Sequence, residues 1–168
     1  MSRYRPPAPC SSPYITREGY EKLGEEQQAL WLRRRDVVTA LSAAAAEGDR
    51  SENAEYHYRK KELGGIDRRI RYLQKRLPDL EIVDAVAGGD QIRFGAEVEL
   101  ELESEADSTT RLVRIVGADE IDPAKNCVSI DSPLARALLG KRVDDEVRIV
   151  VEGRALTWCV LAVRWPSD

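Results

Sequence analysis

The chain has 168 residues, of which 42% are hydrophobic and 33% charged, with a formal net charge of −4. It is too apolar for a disordered chain, and its charge exceeds that of an average globular domain, which suits helices exposing much of their surface. The net charge hides two opposed regions: residues 57–76 carry eight basic and two acidic side chains, whereas residues 81–131 carry thirteen acidic and four basic.

Cys10, Cys127 and Cys159 have neither CxxC nor Cys/His spacing, so no disulfide framework and no zinc site is expected. The start has Arg3 and Arg5 but no apolar run of signal-peptide length, and no later stretch is apolar enough to span a bilayer. A reducing cytoplasm, with no membrane partner, is the expected setting.

Residues 1–13 hold Pro6, Pro7, Pro9 and Pro13 among serines and are expected to form a flexible tail. Thr16 is a plausible N-cap. From there Tyr20, Leu23, Gln27, Leu30, Arg34, Val37, Leu41 and Ala44 follow steps of three and four, a heptad seam interrupted by Gln27 and Arg34. The spacing predicts a first helix over residues 17–46, about 45 Å long. A polar break follows at residues 48–56, with Gly48 suited to ending one helix and Asp49, or failing that Ser51, to capping the next. Tyr56, Arg59, Leu63, Ile66, Ile70, Leu73 and Leu77 then repeat the seam, and so short a connection forces an antiparallel return. Gly64-Gly65 inside this second helix marks either a bend or a close approach, and Pro78 ends it.

Beyond residue 81 the pattern changes to strands. Val98, Leu100 and Leu102 alternate with Glu97, Glu99, Glu101 and Glu103, a half-buried strand with an acidic outer face. Further strands are expected at 111–116, 127–130, 146–151 and 155–165, with a short helix from Ser132 as N-cap to Gly140 as C′. The fold class is therefore α+β, an antiparallel helical hairpin over 14–78 followed by a small antiparallel sheet domain over 79–168 with one helix packed on it.

Two readings of the hairpin end stand side by side. Asp49 and Glu52 have the spacing of a capping box, with acids favoured there by the helix dipole. Alternatively, the same carboxylates, with Glu55 one turn on, project from the tip to hold a divalent cation. Mg²⁺ commonly takes only one or two protein carboxylates and completes its shell with water and phosphate, so such a tip is an incomplete site that needs a partner. Behind it Arg59, Lys60, Lys61, Arg68, Arg69, Arg71, Lys75 and Arg76 line the second helix. That stripe is either a solvated coiled-coil surface or the flank of a probe that slides along phosphate or an acidic channel. His57 has no second histidine to pair with, and Trp31, Trp158 and Trp165 read as packing residues. No nucleophilic triad, P-loop or dinucleotide fingerprint is present.

Four stretches, residues 16–23, 48–56, 66–73 and 129–140, resemble in order the bacterial transcript cleavage factors of the GreA/GreB family. Arg50, Ser51, Tyr58 and the Ile66-Asp67-Arg68-Arg69 run look more like the GreB side of it. The resemblance implies a hairpin inserted through the secondary channel of RNA polymerase and an FKBP-like C-terminal domain docked at its rim. It implies that Asp49 and Glu52 help hold the second catalytic Mg²⁺ for hydrolysis of backtracked RNA, with no metal or cofactor bound by the chain alone. Ser51, Asn53, Glu55 and Tyr56 would shape the tip, the basic stripe would guide the RNA 3′ end, and Asp131, Ser132, Pro133 and Leu134 would dock on the polymerase. The chain would be a monomeric activator of the polymerase's hydrolysis, without an active site of its own. Glu62 departs from this picture, standing where another basic residue is expected.

Three other functions are compatible with parts of the pattern. A prolyl isomerase needs an aromatic-lined pocket, and the single Phe94 lies outside the expected core. A dimerising coiled coil would have to satisfy its seam between chains. A channel-binding inhibitor has no need of the two tip acids.

Overall fold

The computed structural model describes residues 11–46, 53–84, 89–102, 109–151 and 153–166. The chain divides into two compact units, one of Tyr20–Leu80 and one in which the stretch up to Gly19 joins the residues from Glu81 onward.

The first unit is the helical hairpin. Helix α1 (Arg17–Ala46) and helix α2 (Ala54–Arg76) carry the seam that the spacing predicts. Leu23, Val37 and Ala44 on α1 and Ile66, Ile70 and Leu73 on α2 are buried, and Leu30 and Leu63 pack against the Val37–Ile66–Ile70 cluster. Three ion pairs join the helices: Glu26, early in α1, meets Arg69, late in α2, whereas Arg33 and Arg34 further along α1 meet the earlier Glu62 and Asp67, as antiparallel neighbours do.

Arg34, a charged interruption of the seam, is half-buried and resolves its charge by donating to Asp67 at 2.7 Å. Trp31, expected to be packed, is instead 41% exposed. It stands one position off the seam, with the Arg34 guanidinium 5.8 Å from its ring centre. A 3₁₀ turn at Leu77–Asp79, with Pro78 inside it, ends α2.

Helix α2 starts later than the sequence suggests. Its N-cap is Asn53, in extended conformation, whose side-chain oxygen accepts from Tyr56 N at 3.1 Å. The expectation of Asp49 or Ser51 as the cap is thereby corrected: helical dihedrals begin only at Ala54, and Asn53 is the residue immediately before them. Gly48 lies outside the described residues.

In the second unit, a five-stranded sheet has the order β5-β4-β3-β7-β6, from β3 (Glu97–Leu102), β4 (Thr109–Val116), β5 (Cys127–Ser129), β6 (Glu146–Val151) and β7 (Arg154–Arg164). Four of these strands pair antiparallel, but β5 runs parallel to β4, which departs from the expected all-antiparallel sheet. The connection 117–126, with a 3₁₀ turn at Pro123–Lys125, carries the chain back before β5 begins.

Val98, Leu100, Val113, Ile115, Trp158 and Val160 point into one core, covered by Ala135 and Leu138 of helix α3 (Pro133–Leu138). Ser132 caps α3 and Gly140 sits just beyond it at φ 81°. The acidic outer face of β3 is partly neutralised, since Glu99 accepts from Arg164 at 2.7 Å. Two short parallel strands, β1 (Tyr14–Ile15) and β2 (Glu81–Ile82), complete the unit. Phe94, placed outside the core by the sequence, is only 9% exposed because Tyr14 of β1 meets its ring edge-on at 6.3 Å. Ser12 and Pro13 are bonded as well: Ser12 N donates to Asp131 at 2.8 Å and Pro13 O accepts from Glu81 N at 2.8 Å.

Candidate functional site at the hairpin end

Asp49, Ser51 and Glu52 lie outside the described residues; the base on which they stand is within them. Asn53 does two things at once. Its oxygen caps α2, while its Nδ2 donates to Ala44 O at 2.9 Å, satisfying a carbonyl near the end of α1. The run Ala43–Ala46 keeps side-chain bulk low there, and Ala44 is buried.

Glu55 is drawn sideways along its own helix: its carboxylate accepts from Arg59 Nε at 2.7 Å. Tyr56 is half-buried on the seam, edge-on to exposed His57 at 5.7 Å and with Lys60 Nζ 5.9 Å from its ring centre.

The structure divides the basic stripe in two. Arg59 donates to Glu55 and to Glu62, which raises its pKa, Glu55 being the larger cause. Arg69 makes a bidentate bond to Glu26, both distances 2.7 Å. Arg71 Nε donates to Asp67 O at 3.2 Å, and Arg76 stands in the last turn of α2. Lys61, Arg68 and Lys75 are exposed and enter no ion pair among the described residues.

Glu62 is explained by this division. Its side chain, 19% exposed, receives Arg33 at 2.6 Å and Arg59 at 3.2 Å, and these partners, Arg33 foremost, hold its carboxyl below the usual range. It joins the two helices, which its position amid basic residues conceals; the Glu55-Arg59-Glu62 spacing of four and three is the signal that reveals it.

In the second unit, Asp131 accepts from Ser12 N and lies 3.6 Å from Arg136, while Ser132 Oγ accepts from Ala135 N at 3.1 Å. Pro133 is exposed and Leu134 packs partly on the core. Beside them a mostly apolar cavity of about 260 Å³ is bordered by Ile121, Pro123, Cys127, Val128 and Ser132. Ile121, 57% exposed, is a residue the sequence did not single out. Burial pushes the Cys127 thiol pKa up.

No group of three or more His, Cys, Asp or Glu side chains able to hold a metal occurs among the described residues. No helix among them is long and apolar enough to cross a membrane.

Residues 13–82 match the family model "Transcription elongation factor, N-terminal", and residues 87–164 match "Transcription elongation factor, GreA/GreB, C-term". The chain is 55% identical to transcription elongation factor GreB of Xanthomonas axonopodis pv. citri, with 99% of each chain covered. It is 53% identical to GreB of Yersinia pestis, over 95% of this chain and 93% of that one. The crystal structure of GreA factor homolog 1 (Gfh1) of Thermus thermophilus is similar over 90% of this chain and 97% of that one, with 25% identity and a TM-score of 0.41. The chain belongs to the GreA/GreB family of transcription elongation factors and is most like GreB.

Proposed function

We propose that this protein passes its hairpin through the secondary channel of RNA polymerase and stimulates the polymerase's own hydrolysis of backtracked RNA, so that arrested complexes resume. The observation that carries this reading is the cap. Asn53 occupies the N-cap of α2, so the helix does not call on Asp49 or Glu52 for that role. Glu55 is engaged by Arg59, so the acids assigned to the metal are Asp49 and Glu52.

Their hard oxygen donors fit Mg²⁺, and they would hold it together with ligands from the polymerase. When bound there, the ion supplies charge neutralisation at the scissile phosphate and acidifies its water. The chain's own residues supply placement. Asn53 fixes the base of the tip to both helices, and the seam keeps the rod about 20 Å across, from 8–10 Å between axes plus side chains. Lys61, Arg68, Arg71, Lys75 and Arg76 would draw the extruded RNA 3′ end along α2.

Asp131, Ser132, Pro133 and Leu134 would dock the second unit at the channel rim, with the cavity beside Ile121 receiving an apolar side chain of the polymerase. The protein would act in the cytoplasm as a monomer, without a cofactor or an active site of its own.

A backtracked elongation complex with 5′-labelled RNA and Mg²⁺ tests this. Adding the protein should speed endonucleolytic shortening of the RNA and restore extension. Binding without faster shortening would make the chain a channel regulator and end the proposal.

A further inference from the structure

Gly64 and Gly65 stand in the middle of α2, where glycine weakens a helix. Nothing among the described residues requires them. A Cβ at Gly64 would meet only the Arg68 guanidinium, at 3.7 Å, and one at Gly65 the same group at 3.9 Å, both ordinary contacts. Neither φ is positive, so alanine fits both positions without strain. The helix therefore forgoes side chains that its own packing would accept, and the space lies on the side facing away from the seam.

That side has a uniform character. At 3.6 residues per turn, Tyr58, Lys61, Gly65, Arg68, Tyr72 and Lys75 follow one another at steps of three and four along a single stripe. Apart from half-exposed Gly65 all are exposed, Tyr58 by 60% and Tyr72 by 44%. The three acids of α2 are all turned elsewhere, Glu55 to Arg59, Glu62 to Arg33 and Arg59, and Asp67 to Arg34. Each tyrosine has a guanidinium near its ring, Arg59 at 5.4 Å from Tyr58 and Arg69 at 5.2 Å from Tyr72. The two rings bracket the glycines across about 21 Å of helix.

With α2 guiding the RNA 3′ end as proposed above, we infer that Tyr58 and Tyr72 stack its unpaired bases while the sugar–phosphate chain crosses close to the backbone at Gly64-Gly65, between Lys61, Arg68 and Lys75. The inference rests on the channel-insertion reading and adds to it. Charge alone would attract phosphate anywhere along the helix, but exposed rings alternating with cations, around a waist without side chains, suit a strand whose bases are unpaired. A duplex would hide the base faces that the tyrosines offer.

The test uses the full-length protein on polymerase complexes backtracked by a short or a long RNA segment. The parent should accelerate cleavage in both. Tyr58→Ala and Tyr72→Ala should slow cleavage about fivefold or more on the long segment and leave the short one unchanged, with phenylalanine at either position restoring the parent rate. Gly64→Ala with Gly65→Ala should raise the thermal midpoint of the free protein yet reduce photo-crosslinking of 4-thiouridine RNA to α2.

If the tyrosine variants match the parent on long segments, the rings hold no bases and the inference fails. If they lose affinity for polymerase in complexes without extruded RNA, the face meets protein instead. If the alanine pair lowers the midpoint, the glycines serve the fold. A parent inactive on both segments would remove the channel reading itself, a result distinct from all of these.

Discussion

Asn53 bonds to Ala44 across the end of the hairpin, its Nδ2 donating to the Ala44 carbonyl at 2.9 Å while its oxygen caps α2 at Tyr56. One side chain thus serves the C-terminal end of one helix and the N-terminal end of the other. Asn53→Ala removes both bonds and should cost about 1–2 kcal/mol in urea unfolding. Serine can cap but cannot reach Ala44, so Asn53→Ser should fall between alanine and the parent. Both variants should also lower cleavage stimulation, because the base of the tip is loosened.

Glu62 gives the hairpin a predictable acid response. Its carboxyl pKa is depressed in the folded state by Arg33 and then Arg59. A depressed carboxylate contributes stability that is present above its unfolded pKa, near about 4.3, and is lost as pH falls through the folded value. Thermal melts followed by helical circular dichroism should show the parent losing more stability between neutral pH and pH values below that range than Glu62→Gln does. Equal losses would show that the three-residue bridge contributes nothing in solution.

The second unit is pinned through Glu120, whose carboxylate accepts from Thr16 N at 3.0 Å, from Gly117 N at 2.9 Å and from the Thr16 hydroxyl. Thr16 in turn accepts from Gly19 N at 3.0 Å and caps α1. Glu120→Gln should cost about 1–3 kcal/mol, since an amide offers one acceptor oxygen where the carboxylate offers two. Gly117→Ala should be the more damaging change, because the added Cβ runs into the backbone carbonyl oxygen of Tyr14 and the Glu120 side chain. Hydrogen exchange at Glu81 and Val83, whose amides bond Pro13 and Ile15, reports whether β1 has been unseated.

The elements legible in the sequence were those with a period. The seams of α1 and α2 and the alternation in β3 all emerge where the spacing places them, because burial on one face of a regular element dictates residue type. What could not be read were contacts set by register between distant segments. The cap at Asn53 depends on where helical dihedrals begin, and Asp49, Ser51 and Asn53 are chemically equivalent candidates for it. Glu62 looked like a break in the basic stripe because its partner Arg33 comes from the other helix. The parallel pairing of β5 turns on the path of one connection, and Phe94 is buried by a strand from the far end of the chain. Trp31 missed the core by a single helical position.

The central claim is that Asp49 and Glu52 act on the polymerase's chemistry instead of capping a helix. Asp49→Asn and Glu52→Gln should each fold with the parent's stability, bind polymerase with the parent's affinity, and lose most of the acceleration of RNA cleavage in the backtracked complex, with higher Mg²⁺ recovering part of it. If the variants that bind still accelerate cleavage as the parent does, the two carboxylates are not the metal-holding pair, and the account of the tip is wrong.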